Sequence, residues 1–107
     1  MRRKNSHADW AAAYYSEDLV EAAEWVVAIL SELRGISPKQ IHPTDRFFQE
    51  IDLPDFQDVI LLDELDSMTN GHFSKQIDYE NLSCVDNVIQ ALHLTLYRSR
   101  WGVNSPL

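Results

Sequence analysis

The sequence predicts an all-α protein: a small antiparallel four-helix bundle in one domain, residues 1–107, with a long loop between helices 1 and 2. Three observations point there. Glycine and proline, which punctuate regular structure, number only three and four. No segment sustains the alternation of a half-buried strand, and three stretches instead repeat apolar residues at helical spacing.

The opening, "MRRKNSHADWAAAYY", is expected to be an N-terminal extension, 1–15; it is basic but leads into no long apolar segment, so no signal peptide is read from it. In "SEDLVEAAEWVVAILSELRG", Leu19, Ala22, Ala23, Val26, Val27, Leu30 and Leu33 share one helical face, which predicts an amphipathic helix. Ser16 is its expected cap. Glu17 and Asp18 suit the positive end of the helix dipole, and Arg34 with Gly35 supplies the stop.

"ISPKQIHPTDRFFQEIDLP" reads as a long connection. Ser37, Pro38 and Gln40 have the order of a capping box on one short helical turn. Ile36, Ile41, Phe47, Phe48 and Ile51 are spaced as pins that hold the segment on a core.

A second helix is expected from near Pro54, where a missing N–H costs nothing. Phe56, Val59, Leu61, Leu62, Leu65 and Met68 are assigned to its buried side. Gln57, Asp58, Asp63, Glu64 and Asp66 are assigned to its wet side, and Asn70 with Gly71 ends it. A brief third helix is expected over 74–79. Ser83, Cys84, Val85 and Asp86 resemble a capping box opening a last helix, in which Val85, Val88, Ile89, Leu92 and Leu96 align. The basic tail, 98–107, is expected to be flexible or to fold back through Trp101.

Apolar residues at 45% and aromatic residues at 10% suffice for a packed core. The formal charge is −8, which argues against a nucleic-acid partner. It is unevenly placed: residues 1–44 carry six acids and five bases (−1), 45–80 ten and two (−8), and 81–107 one and two (+1). The acidic middle is either a solvated face that confers solubility or a docking surface for a basic partner.

The lone Cys84 excludes an internal disulfide and fits a reducing cytoplasm; it reads as a buried or half-buried small apolar residue. No stretch approaches the length of a membrane span. His7, His42, His72 and His93 lack ligand spacing, so no metal site is expected. No nucleophile–base pair or glycine-rich phosphate loop can be argued from spacing, and no enzymatic activity is expected. Trp10, Tyr14, Tyr15 and Trp101 read as edges of the core, and as an interface if exposed together.

The order long helix, pinned loop, acidic helix, short helix, final helix resembles the acyl carrier protein family. Ile41, Pro43, Phe47 and Ile51 fall at the intervals of that family's loop pattern, and "FFQEI" is similar to its Phe-apolar-acid-acid-Leu stretch. Val59, Leu61 and Leu65 match apolar positions of its second helix, and "LSCV" (82–85) the entry to its last. The resemblance covers about residues 20–95. In that family a Gly-x-Asp-Ser-Leu motif opens the second helix, and its serine carries phosphopantetheine. Here the motif falls on Asp52, Leu53, Pro54, Asp55 and Phe56, so Asp55 stands at the serine position. A carboxylate attacking phosphate would give a labile acyl phosphate, so no cofactor is expected on Asp55.

Asp55 reads either as a first-turn acid facing the helix dipole or as a fixed charge standing in for the phosphate of the missing arm. The expected function is non-enzymatic binding by a monomeric, cytoplasmic carrier-like module. Its acidic second helix would present Asp55, Phe56, Asp58, Asp63, Glu64 and Asp66 to a basic protein partner; the resemblance implies an enzyme of acyl or polyketide metabolism. Two other readings stay open. Asp66, Ser67 and Met68 resemble a carrier's Asp-Ser-Leu, so the chain could be a genuine carrier with phosphopantetheine on Ser67. A compact acidic helical bundle would equally suit a small inhibitor of the immunity type, binding a nuclease or toxin by mimicking phosphate charge.

Overall fold

The computed structural model of the chain describes residues 6–47, 49–53, 57–76 and 82–101. Among these the protein is all-α, with α1 (Ser6–Tyr14), α2 (Val20–Arg34), a 3-10 turn (Pro38–Gln40), α3 (Gln57–Met68), α4 (His72–Gln76) and α5 (Val85–Trp101), and no strand. The nearest approach to a sheet is one isolated antiparallel bridge, Arg46 to Cys84. No helix among the described residues is long and apolar enough to cross a membrane.

α2 forms the middle of the core, as its stripe predicts. Ala22, Ala23, Val26, Val27 and Leu30 are buried, with Leu19 and Leu33 packed at the margin. It starts later than expected. The Ser16 carbonyl, not its side chain, organises the entry by accepting from the amides of Leu19 (2.9 Å) and Val20 (3.1 Å), and Leu19 caps α2 without a side-chain bond. The stop is as expected: Gly35 takes φ +68°, and its amide and that of Ile36 both donate to the Ser31 carbonyl.

The segment read as an extension is largely a helix. α1 packs on α2, buries Trp10 and Ala11, and ties Trp10 Nε1–H to the Ile41 carbonyl at 2.7 Å. Just beyond α1, the Tyr15 hydroxyl donates to Asp86 at 2.5 Å, joining the start of the chain to α5. Burial first, and then the hydrogen bond and charge of Asp86, push the Tyr15 hydroxyl's pKa up from its ordinary value. The described residues thus hold five helices where four are expected. The difference arises because α1 offers one tryptophan and several alanines in place of a long apolar stripe.

The long loop is held as predicted by Ile41, Phe47 and Ile51, all buried, with Ile36 partly so; Phe48 lies outside the described residues. Ser37 and Gln40 close the expected capping box around Pro38. The Arg46 carbonyl gathers the amides of Glu50 and Ile51, both at 3.1 Å, while the Glu50 carboxylate accepts from the Arg46 amide at 2.7 Å. Hydrogen bonds donated by the Arg46 guanidinium first, and then by the Arg46 amide, hold the exposed Glu50 carboxyl below its usual pKa range. Asp52 then turns the chain at φ +59°, which lets the Leu53 amide return to the Phe47 carbonyl at 2.8 Å and buries Leu53. Arg34 anchors the loop to α2 through a 2.9 Å bond to the Ile51 carbonyl.

α5 buries Val85, Val88, Ile89 and Leu92, with Leu96 at the edge, as its spacing predicts. Its N-terminal amides are satisfied differently from the expected box. The Asn87 side chain accepts from the Ser83 and Cys84 amides, and the Val85 and Asp86 amides donate to the loop carbonyls of Asp45 (3.0 Å) and Pro43 (2.8 Å). Cys84 is half-buried, as read from the sequence. The tail assignment is corrected in part: α5 continues through Trp101, so 98–101 are helical, while the side chain of Trp101 and residues 102–107 lie outside the description.

Candidate functional site

The acidic middle of the sequence centres on α3, which carries Asp58, Asp63, Glu64 and Asp66 and no lysine or arginine. Leu61 and Leu65, four residues apart, are buried and fix which way the helix faces. At about 100° of rotation per residue, Asp58, Val59, Leu62, Asp63 and Asp66 fall together along one flank. These five line a shallow depression of about 190 Å³, an apolar floor edged by three carboxylates.

Two assignments change here. Val59, expected to be buried, is 57% exposed, and Ile60 is 42% exposed. Val59 stands two residues before Leu61, which puts the two on nearly opposite sides of a helix; its neighbour at helical spacing is Leu62. Glu64, grouped in sequence with the other acids, lies about 100° around the helix from Asp63, on the side of Ile60. The structure therefore brings together Asp58, Asp63 and Asp66, and sets Glu64 apart. Asp55, Phe56 and the expected start at Pro54 lie outside the described residues.

Asp66 has a second task. Its carboxylate accepts from the Ser74 amide at 2.9 Å, while the Thr69 hydroxyl accepts from the Phe73 amide at 2.9 Å and donates to the Leu65 carbonyl. These bonds cap α4 from the end of α3 and seat the fully buried Phe73. Between the two helices the chain turns through Asn70 (φ +56°) and Gly71 (φ +83°), the stop read from the sequence. The brief third helix runs His72–Gln76; the rest of the expected span, 77–79, lies outside the described residues.

Ser67 is exposed in the last turn of α3. The alignment that makes it an attachment site needs 59–65 in a loop and a helix running through 69–71; here 59–65 are helical and 69–71 form a turn. Among the described residues no three His, Cys, Asp or Glu side chains are placed to hold a metal ion.

The aromatic residues divide. Trp10 is buried, stacked at a tilt on Tyr14 (ring centroids 5.1 Å apart) and on Tyr15 (6.0 Å). Tyr14 is half-exposed and meets the His42 ring edge-on at 5.3 Å. Compared with protein-family models, curated proteins and solved structures, the chain matches none of them.

Proposed function

We propose that this chain is a non-enzymatic binding module, arranged like an acyl carrier protein bundle but without a serine at the attachment position, that docks a basic protein partner through α3. The observation that carries the reading is the flank of α3, where Asp58, Asp63 and Asp66 surround the exposed Val59 on a helix free of basic residues. Carboxylates around an apolar floor attract a cationic surface over distance and give it something to bury on contact. Asp52 supports the carrier frame: it stands where the family motif has glycine, and its φ of +59° is a backbone state that favours glycine. By the same resemblance the partner is an enzyme of acyl or polyketide metabolism.

The test is a pull-down with the parent chain, followed by the affinity of any basic protein it recovers, at low and high salt, for the parent and for the double variant Asp58→Lys, Asp63→Lys. Docking through this flank predicts a loss of at least about tenfold at low salt and a flatter salt dependence in the variant. Unchanged affinity would reduce the flank to a solubility device. The cofactor is tested by intact mass after incubation with coenzyme A and a phosphopantetheinyl transferase. The parent is expected to stay unmodified and Asp55→Ser to accept the arm; an arm on the parent that Ser67→Ala removes would make the chain a working carrier.

A further inference from the structure

We infer that the cleft between α1 and the 3-10 turn binds a small aromatic zwitterion, of the class of free aromatic α-amino acids. The cleft encloses about 340 Å³, with Asp9, Trp10 and Tyr14 on the helix side and Ser37, Pro38 and Lys39 on the other. That volume lies at the lower end of the range for small-molecule sites, about 300–1,000 Å³.

Its walls are set before any ligand arrives. The Trp10 ring is fixed by its bond to the Ile41 carbonyl, and Tyr14 is braced between Trp10 and His42. The opposite wall is the turn locked by the Ser37 and Gln40 capping box, with Pro38 buried beneath it. A ligand entering such a site orders little of the protein, which favours binding.

The charges choose the ligand. Asp9 and Lys39 are both exposed and line the same cleft, yet no ion pair joins them. A simple cation would meet Lys39, a simple anion would meet Asp9, and a purely apolar molecule would strip water from both. An α-amino acid carries its ammonium and carboxylate on one carbon. It can give the ammonium to Asp9 and the carboxylate to Lys39 while its ring lies against Tyr14 and Pro38. The Ser37 hydroxyl, already accepting from the Lys39 amide, holds the backbone beneath that lysine.

The experiment is a titration of the full chain with L-phenylalanine, followed by calorimetry and by amide chemical shifts. Three comparison ligands are 3-phenylpropionate, which lacks the ammonium, phenethylamine, which lacks the carboxylate, and glycine, which lacks the ring. Phenylalanine is expected to shift residues 9–14 and 37–39, and each comparison ligand to bind about tenfold or more weakly. Asp9→Lys and Lys39→Asp alone should each abolish binding, and the charge-swapped double variant should recover most of it. Both side chains are exposed, so the variants are expected to fold, and circular dichroism checks this. Absence of shifts at the cleft overturns the inference, as does binding of phenylpropionate or phenethylamine equal to that of phenylalanine. Failure of the double variant to recover does the same. None of these outcomes depends on what α3 binds.

Discussion

Trp10→Ala tests whether α1 belongs to the core or merely leans on it. Trp10 is 6% exposed, so nearly the whole indole leaves water when the chain folds, and its N–H is held by a buried carbonyl. Emptying such a site costs about 3–5 kcal/mol, against a total stability of roughly 5–15 kcal/mol for a domain of this size. Trp10→Phe keeps most of the apolar volume but leaves the Ile41 carbonyl without its donor, which costs about 1–3 kcal/mol. Trp25, 47% exposed on α2, is the control, and its change to alanine should cost about 1 kcal/mol or less. Urea unfolding followed by far-ultraviolet circular dichroism gives all three values. A loss for Trp10→Ala no larger than for Trp25→Ala would refute the packing described here. If Trp10→Ala does not fold, the milder Trp10→Phe still ranks against the control.

Asp66→Ala should destabilise the protein by about 1 kcal/mol through loss of the α4 cap, and Asp66→Asn by much less, since an amide oxygen can still accept from Ser74; urea midpoints with unchanged slopes would show this. Tyr15 keeps its proton more tightly in the folded state than in the unfolded chain, whose tyrosines ionise near pH 10.0. Its contribution is therefore complete below that pH and declines as pH rises above it. Tyr15→Phe should flatten the alkaline fall in stability while costing about 1.5 kcal/mol at neutral pH, read from denaturation across a pH series. Gly35→Ala should cost about 1 kcal/mol through backbone strain alone, because φ is +68° and nothing lies within 4 Å of the added methyl; thermal unfolding would measure it.

What the sequence made legible was local. α2 and α5 announce themselves because five or more apolar residues recur at helical spacing, and Gly35, Pro38 and Gln40 act within a few residues of their own positions. α1 is not legible in the same way, because its place is set by bonds that span 31 and 71 residues, Trp10 to Ile41 and, just beyond the helix, Tyr15 to Asp86. The start of α5 lies where its spacing predicts, but its capping differs from the expected box for a related reason: its amides bond to the loop, and Asn87 supplies the cap expected from its neighbours. In the candidate site the acidity of α3 was plain from charge alone. Its division into a flank with Asp58, Asp63 and Asp66 and a separate side with Glu64 required knowing that Leu61 and Leu65 face inward. The capping role of Asp66 could not be read without the turn that brings Ser74 back to it.

The bonds from Val85 and Asp86 to the carbonyls of Asp45 and Pro43 also bear on the order of synthesis. A ribosome delivers the two acceptors about forty residues before their donors, well over the length of a typical helix. A nascent chain that stops short of Val85 holds the loop's residues without the amides that grip it. The connection leading into the acidic helix is thus completed by α5, which emerges well after it, and a truncation that removes α5 disturbs the loop as well as the core.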